Sequence, residues 1–369
     1  MHVVVVGGGV VGTTLAAALV DGSDDASVTL CERDELGCGT TSASAAVFTT
    51  QQPRPSEYDE ALRERAWATY EPLVESGALS YERVGHLTVA ESDEYAETLR
   101  EAVGPLRSFG YDAEWVPGER LGEFDLDGAD YRGALYTPEE GYFDVDELVA
   151  AFADRAREGG ADVRTGEAVT DVLVEDGAVA GVETDRETLR ADAVVNAAGP
   201  WALAVDGLAG ASVPLRHTVG PILVVAGDDH AVPFSIFESR HYVRPVGGDA
   251  AYVGKYLTDW ADGEVLDPDD PVDALEAFRG EADAFLDRSV PPLADGRVVD
   301  EWVGLRTVTP DGHPVVGESA VTGFYEAVGM SGLGVTLAPA VADLLAAEIR
   351  GEATAADERL LEPLSPERF

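Results

Sequence analysis

The sequence predicts an α/β fold with two units, one on a parallel sheet assembled from discontinuous segments and one on a mostly antiparallel sheet. Residues 2–6 form an apolar, β-branched run typical of a buried parallel strand, and a glycine-rich turn follows directly. A second apolar run, at residues 191–199, also ends in small residues. Residues 212–299 contain several short strand-like runs. The length of 369 residues exceeds one typical core and also indicates two domains.

The first glycine-rich turn has the spacing G-x-G-x-x-G, formed by Gly7, Gly9 and Gly12. It lies between the strand and a helix-type run that begins with Val10 and Val11. In this setting the first glycine permits the tight turn, the second lets the backbone approach a pyrophosphate, and the third allows close helix–strand packing. The unpaired N–H groups of the helix then face phosphate oxygens. The motif therefore predicts a Rossmann-like domain for an adenine dinucleotide, either NAD or FAD.

A second strand at residues 28–31 ends at Glu32, about twenty residues after the last glycine of the motif. A carboxylate at this place accepts hydrogen bonds from an adenosine ribose. The loop that follows, residues 37–46, consists mainly of small residues, which lets the backbone approach a large flat ligand. The two cysteines, Cys31 and Cys38, predict neither a disulfide framework nor a metal site.

The charge of the chain is strongly negative, with 70 Asp plus Glu against 25 Lys plus Arg and a formal net charge of −45. The acids are spread along the whole chain, which favours a solvated acidic surface over an acidic tail. Nucleic acid is disfavoured because no basic stripe could neutralise phosphates. The apolar N-terminus is interrupted by glycines and lacks a positive leader, so no membrane span is expected. Such a composition indicates a halophile-like protein of a salt-rich cytoplasm.

Folding is expected to depend on salt, because an acidic chain of this charge repels itself when compact. Added salt shortens the range of that repulsion, from about 10 Å at 0.1 M to about 3 Å at 1 M ionic strength. The melting temperature should therefore rise between low and molar salt. A melting temperature that stays flat over this range contradicts the prediction.

The rest of the chain predicts elements that return to the first sheet. A hairpin with its turn at residues 176–177 precedes the apolar run that contains Asn196. Near the C-terminus, a glycine-rich turn at residues 329–334 leads into a helix over 336–349. A glycine-rich turn before a helix thus occurs at both ends of the chain. An NAD-binding domain does not require a second turn of this kind, so its presence favours FAD over NAD. Further helices are expected over residues 56–73, 93–109, 144–157 and 272–286.

These features together resemble the FAD-dependent amine oxidoreductases of the D-amino acid oxidase, glycine oxidase and sarcosine oxidase superfamily, over nearly the whole chain. The resemblance rests on short stretches in a fixed order: residues 7–12, Glu32, and residues 37–46, 196–199, 304–314 and 329–334. It implies an FAD-binding domain of residues 1–80, 141–212 and 303–369. It also implies a substrate domain of residues 81–140 and 213–302, whose mostly antiparallel sheet covers the isoalloxazine ring.

The resemblance places the FAD contacts in the two glycine-rich turns and the segments between them. The implied residues are Gly7, Gly9, Val10, Val11, Gly12, Glu32, Arg33, Gly39, Thr40, Thr41, Ser42, Ala43, Ser44, Val169, Ala197, Gly199, Trp201, Arg306, Gly332, Leu333, Gly334, Val335 and Thr336. Relatives that attach FAD covalently use a Cys or a His at positions that correspond to Gly304 and Ala43 here. Neither residue can form such a bond, so dissociable FAD is expected, with Cys38 as the alternative attachment point.

Four residues are candidates for the chemistry. Arg306, in Gly-Leu-Arg, stands where glycine oxidase-like members place an arginine that binds the substrate carboxylate. Lys255 is the single lysine of the chain, and some members use a lysine near the flavin to promote the reaction with oxygen. His217 and Tyr242 are expected to line the active site. Weaker candidates of the same kinds are Arg244, Arg54 and His241.

The predicted activity is FAD-dependent oxidation of a small amino acid or N-methylated amino acid, giving an imine that hydrolyses. Oxygen or an electron carrier is the expected acceptor. Two alternatives stay open at this stage. One is a 2-hydroxy acid dehydrogenase of the same fold, and the other is a flavin-binding subunit of a hetero-oligomeric amine dehydrogenase. The chain is expected to form homo- or hetero-oligomers.

Overall fold

The computed structural model describes residues 1–21, 26–270 and 272–369. Eight α-helices lie in these ranges: α1 (Val10–Val20), α2 (Glu57–Glu75), α3 (Asp93–Ser108), α4 (Val145–Glu158), α5 (Ala202–Ala209), α6 (Leu275–Ser289), α7 (Gly334–Ile349) and α8 (Ala355–Leu361). Ser56, Ser92 and Asp144 cap α2, α3 and α4 by accepting a backbone N–H. No helix within the described ranges is long and apolar enough to cross a membrane.

The N-terminal strand lies at the centre of a six-stranded sheet. Its strands are β1 (His2–Val6), β2 (Ser27–Cys31), β9 (Asp162–Arg164), β13 (Ala193–Asn196), β19 (Val315–Glu318) and β20 (Phe324–Val328). Their order is β19-β20-β13-β1-β2-β9, and all neighbours are parallel except β19 and β20. The apolar run around Asn196 therefore returns to the first sheet beside β1.

Two layers cover this sheet and bury its apolar strands. Helices α1, α2, α4 and α7 pack together on one face, in the largest hydrophobic core. A three-stranded sheet of β10 (Val169–Glu175), β11 (Ala178–Thr184) and β12 (Thr188–Arg190) packs with α5 on the other face. Because β1 is buried on both faces, its four consecutive valines fit a central parallel strand. The predicted α/β architecture is confirmed.

An eight-stranded, mostly antiparallel sheet forms the second unit. It contains β5 (His86–Ala90), β6 (Glu114–Pro117), β7 (Gly133–Thr137), β14 (Arg216–Ala226), β15 (Phe234–Phe237), β16 (His241–Pro245), β17 (Ala250–Lys255) and β18 (Arg297–Val308), in the order β18-β14-β17-β16-β15-β5-β7-β6. One face packs against α6. The other face carries Ile222, Phe234 and Tyr242. A small sheet of β3 (Val47–Phe48), β8 (Gly141–Phe143) and β4 (Tyr81–Arg83) lies beside it.

Strand β18 crosses the domain boundary expected between residues 302 and 303. Its pairing with β14 continues from Arg297 to Val308 without leaving the eight-stranded sheet. Residues 303–308, including Arg306, therefore belong to the antiparallel sheet and not to the unit that contains the parallel sheet. Because one long strand pairs with β14 on both sides of the expected boundary, composition alone does not indicate where the antiparallel unit ends.

Two carboxyl groups, Asp206 on α5 and Glu326 on β20, are buried together. Asp206 of α5 accepts a hydrogen bond from Asn196 at 2.7 Å, and both oxygens of Glu326 are buried without a donor. Burial and the nearby Asp206 raise the pKa of Glu326 well above its usual value of 4.5, and burial also raises the pKa of Asp206. A protonated Glu326 beside Asp206 avoids two buried charges.

Because the pKa of Glu326 is raised in the folded protein, its contribution to stability is present below pH 4.5 and is lost as pH rises. In Glu326→Gln this side chain no longer takes up a proton on folding. The slope of the unfolding free energy against pH should therefore change by up to about 1.4 kcal/mol per pH unit. Denaturant unfolding between pH 4 and 8 in molar salt measures the slope. Glu358→Gln, at an exposed position of α8, is the control. Equal slopes in both variants refute the assignment.

Candidate functional site

One large cavity lies between the parallel sheet and the antiparallel sheet. Its wall includes both glycine-rich turns, the end of β13 and the face of the antiparallel sheet that carries Phe234, Ile236 and Tyr242. The carboxyl ends of β1, β2 and β13 open onto it, which is where ligands bind in open α/β sheets.

In the first glycine-rich turn, backbone segments approach one another closely. Gly7 has φ 110°, and a Cβ there would lie 2.5 Å from the Ala197 carbonyl oxygen. A Cβ on Gly12 would lie 1.9 Å from the Gly7 carbonyl oxygen, so no side chain fits at the start of α1. Gly9 precedes α1 and provides no side-chain cap. The turn is therefore built as predicted for close approach of a phosphate.

The second glycine-rich turn places another helix N-terminus at the same cavity. Residue Leu333 precedes α7 and offers no side-chain cap to its first N–H groups. Gly332, with φ 86°, and the first residues of α7 line the cavity. The N-termini of α1 and α7 thus reach one cavity, and each favours negative charge. At α1 the Val10 N–H donates to Thr41 Oγ1 at 3.1 Å.

The Glu32 carboxylate is fixed at the end of β2 where it lines the cavity. Its Oε2 accepts a hydrogen bond from Gly8 N–H at 2.7 Å, and its Oε1 accepts from Asp34 N–H at 2.9 Å. Ligand atoms of Glu32, Asp34 and Cys38 lie within 4.8 Å of one another. Since backbone N–H groups already occupy both Glu32 oxygens, this arrangement suits a hydroxyl-bearing ligand better than a metal.

Most residues implied as FAD contacts line this cavity, namely Gly7, Gly9, Val10, Val11, Glu32, Arg33, Gly39, Thr40, Thr41, Ala43, Ser44, Val169, Ala197, Gly199, Trp201, Arg306, Gly332, Leu333, Gly334, Val335 and Thr336. Two do not. Gly12 acts only through helix–turn packing. Ser42 does not line the cavity, and its hydroxyl donates to the Cys38 and Gly39 carbonyl groups.

A segment that sequence reasoning missed covers one end of the cavity. This covering segment, residues 257–270, carries Asp269, which accepts hydrogen bonds from Arg33 Nη2 at 2.7 Å and from Trp201 Nε1 at 3.0 Å. The Arg33 guanidinium lies 4.3 Å from the Trp201 ring centroid. All three residues line the cavity. In a sequence with 70 acidic residues, no local signal singles out this aspartate.

Asp269→Ala should speed FAD dissociation by about three- to tenfold, because it removes an ion pair and a hydrogen bond that close the covering segment onto Arg33 and Trp201. Dilution of the loaded protein and recovery of flavin fluorescence measure the rate. Asp270→Ala changes the neighbouring exposed aspartate and is the control. The difference should shrink in molar salt, and equal rates for both variants contradict a closing role.

Arg306 and Tyr242 meet at the cavity face of the antiparallel sheet. The Arg306 guanidinium lies over the Tyr256 ring, 5.7 Å from its centroid, and against Gly220, where a Cβ would lie 2.8 Å from it. Its Nη2 donates to the Lys255 carbonyl oxygen at 3.2 Å, and its Nη1 is buried without a partner. The Tyr242 hydroxyl is also buried without a partner. The structure therefore brings these two predicted residues together.

The structure corrects the expectation for Lys255. Along β17, Tyr252 lies on the cavity side of the sheet, while Ala251 and Val253 pack on the α6 side. Lys255 follows the second set, and its Nζ pairs with Glu281 of α6. The side chain therefore lies on the opposite face of the sheet from the cavity.

The expectation for His217 is corrected as well, because both of its ring nitrogens are engaged elsewhere. Nε2 donates to the Pro200 carbonyl oxygen at 2.8 Å, and Nδ1 accepts from Leu266 N–H at 3.1 Å. The residue is buried, does not line the cavity and joins β14 to the covering segment. His241 stacks on Phe285 of α6, on the face away from the cavity.

The residues of the cavity fit an FAD. A dinucleotide requires groups that bind its phosphates and its ribose. The cavity offers two helix N-termini, a fixed carboxylate at the end of β2 and glycine-rich backbone. Gly304 and Ala43 are neighbours in the wall, since a Cβ on Gly304 would lie 2.9 Å from the Ala43 methyl carbon. Neither has a nucleophilic atom, in keeping with the expectation of dissociable FAD.

A family model described as DAO, FAD dependent oxidoreductase, matches residues 2–348. Glycine oxidase from Geobacillus kaustophilus is 27% identical over 370 residues, which cover 96% of this chain and 94% of that protein. The 4-methylaminobutanoate oxidase (formaldehyde-forming) of Paenarthrobacter nicotinovorans is 28% identical over 362 residues. That match covers 94% of this chain but 43% of the oxidase, so the chain spans less than half the length of some relatives.

The solved structure of L-proline dehydrogenase from P. horikoshii has the same fold, with a TM-score of 0.88 at 24% identity. The superposition covers 100% of this chain and 97% of that one. The family match spans nearly the whole chain and includes both glycine-rich turns. The chain therefore belongs to the DAO family of FAD-dependent oxidoreductases.

Proposed function

We propose that this protein oxidises a small amino acid or an N-methylated amino acid, giving an imine that hydrolyses. The observation that carries the proposal is a pair of buried polar atoms without hydrogen-bond partners, Arg306 Nη1 and the Tyr242 hydroxyl, on the cavity face of the antiparallel sheet. Bound FAD would supply the acceptor for the two electrons. The residues of the chain bind and orient the substrate.

Arg306 would bind the substrate carboxylate. Among the described residues, no carboxylate forms an ion pair with Arg306, although the chain has 70 acids. Its planar guanidinium presents paired N–H donors that match a carboxylate, and its charge does not titrate. The Lys255 carbonyl oxygen holds one donor in place and leaves Nη1 directed into a buried site. An unpaired buried donor of this kind is unfavourable until an anion binds.

Tyr242 would add a second hydrogen bond to the same carboxylate. Burial raises the pKa of its hydroxyl, so the group remains protonated at neutral pH and can donate. Its side chain lies against Gly254, where a Cβ would lie 2.4 Å from the Tyr242 Cζ and hydroxyl oxygen. Because Gly254 has no side chain, Tyr242 packs close to the sheet and leaves room for a substrate above it.

The relatives support a substrate that carries both an amine and a carboxylate. Those named above are oxidases of glycine and of 4-methylaminobutanoate, and human sarcosine dehydrogenase is 27% identical over 357 residues. An archaeal relative, subunit A1 of anaerobic glycerol-3-phosphate dehydrogenase from Haloferax volcanii, is 31% identical over 332 residues. It supports the alternative of a hydroxyl-bearing substrate or a subunit of a larger complex. Oxygen or a carrier would accept the electrons.

Anaerobic mixing of the FAD-loaded protein with substrates tests the proposal. Glycine, sarcosine and D-proline form the amine set, and 2-hydroxyglutarate represents the alternative. Bleaching of the flavin absorbance by an amine of this set supports the proposal, and bleaching by 2-hydroxyglutarate alone replaces it with the alternative. Admission of air afterwards separates an oxidase, which regains its colour, from a dehydrogenase. Loss of all activity in the purified chain would favour a subunit that needs a partner.

A further inference from the structure

Another arginine, Arg244, is buried on the same face of the antiparallel sheet as Tyr242. The two residues are two apart on β16, so their side chains share a face. Arg244 is 5% exposed, and its Nε is buried without a partner. Among the described residues, no carboxylate forms an ion pair with it. Its Nη1 donates a hydrogen bond to the Pro245 carbonyl oxygen at 3.2 Å.

Two aromatic rings pack against the Arg244 guanidinium. Its central carbon lies 4.0 Å from the Tyr142 ring centroid and 4.1 Å from the Tyr252 ring centroid. Tyr252 is its cross-strand partner on β17. This packing explains how a cation is buried here without an acid, but it leaves the charge without a counter-ion.

Arg244 lies just beyond one end of the cavity. Tyr242 and Phe234, which line the cavity, flank it on the same sheet face. Tyr242 therefore lies between two guanidinium groups, the half-buried Arg306 on one side and the buried Arg244 on the other. Both cations lower the pKa of Tyr242, against the larger raising effect of burial. Two residues along a strand span about 7 Å, and the strand register places Arg244 further from Arg306 than Tyr242 is. A carboxylate near Arg244 would therefore be at the far end of a substrate that Arg306 binds.

We propose that the Tyr242–Phe234 end of the cavity receives a second carboxylate of the substrate, attracted by Arg244, while Arg306 binds the first. The substrate class is thus an amino dicarboxylate, including an amine whose N-substituent ends in a carboxylate. This inference rests on the proposed function, because it assigns the same cavity and the same first carboxylate. In a site shielded from water, an unpaired cation about 8 Å away strengthens binding of an anion by about tenfold or more.

Binding of inert acids to the FAD-loaded protein tests the charge preference without turnover. Glutarate and valerate have the same number of carbons and differ by one carboxylate, and perturbation of the flavin absorbance reports their dissociation constants. Glutarate should bind at least about tenfold more tightly than valerate. Arg244→Met should reduce this ratio to near one, and Arg244→Lys should retain most of it. Arg216→Met is the matched control, because Arg216 also stacks on an aromatic ring, 4.2 Å from the Trp260 centroid, outside the cavity.

A ratio below about three in the unaltered protein overturns the inference, whatever the variants do. An unchanged ratio in folded Arg244→Met overturns it as well. Flavin reduction then separates this inference from the proposed function. Iminodiacetate should reduce the flavin at least about tenfold more efficiently than sarcosine, from which it differs by a carboxylate. Faster reduction by sarcosine refutes the dicarboxylate class and leaves amine oxidation standing. Tight glutarate binding without reduction by any amine retains the second subsite and refutes amine oxidation.

Discussion

Arg306→Met should lower kcat/KM for the amino acid substrate by about 100- to 1,000-fold. The variant removes the charge-assisted hydrogen bonds to the substrate carboxylate, and loss of a buried charged partner costs about 3–4 kcal/mol. Methionine keeps much of the volume, so the Tyr256 ring and the Gly220 backbone retain a neighbour. Steady-state kinetics with a carboxylate-bearing amine measure the effect.

Arg306→Lys should recover part of the loss, because an ammonium keeps the charge but not the planar pair of donors. An amine without a carboxylate is the matched substrate control, and its kcat/KM should change far less in both variants. A similar loss with both kinds of amine would mean that Arg306 acts on the flavin or on packing and does not bind the carboxylate. FAD content must be equal in all three proteins for the comparison.

Gly12→Ala should abolish FAD binding or folding of the N-terminal unit. The new Cβ would meet the Gly7 carbonyl oxygen at 1.9 Å, and this oxygen belongs to backbone that cannot move aside as a flexible side chain could. The turn between β1 and α1 would have to open, which removes the phosphate-facing N–H groups. The FAD-to-protein ratio after purification in molar salt measures the loss.

Gly280→Ala is the matched control for this variant. Gly280 lies inside α6, and nothing lies within 4 Å of a Cβ built there. Alanine at such a position should stabilise the helix by about 0.5–1 kcal/mol and leave FAD binding unchanged. Gly12→Ala protein that still holds one FAD per chain would show that the turn adapts, and would contradict the packing role assigned to this glycine.

The elements around the cofactor could be predicted because their signals are local. A buried strand, a glycine-rich turn and a helix follow one another within residues 2–20, and each is encoded by neighbouring residues. Ser56 and Asp144 marked helix starts for the same reason. The carboxylate of Glu32 was predictable since it ends a strand parallel to β1 at a known distance along the chain.

The predictions for Lys255 and His217 were wrong because they depend on contacts distant in sequence. Whether Lys255 faces the cavity or α6 is decided by the pleat of β17 and by the place of Glu281, 26 residues away. His217 was expected to line the active site, but hydrogen bonds with Pro200 and Leu266 occupy both of its ring nitrogens. Asp269 went unnoticed for a similar reason, because its partners Arg33 and Trp201 lie far from it along the chain.

The sequence by itself determined the α/β class, the two glycine-rich turns and the FAD-type site, because periodicity, glycine spacing and helix caps act over a few residues. The tertiary structure alone decided which charged side chains face the cavity. It joined Arg306, Tyr242 and Arg244 on one sheet face and turned Lys255 to the other. A side chain's chemistry is a property of its residue type, whereas its partners and its burial are set by strand register and by segments that meet only after folding.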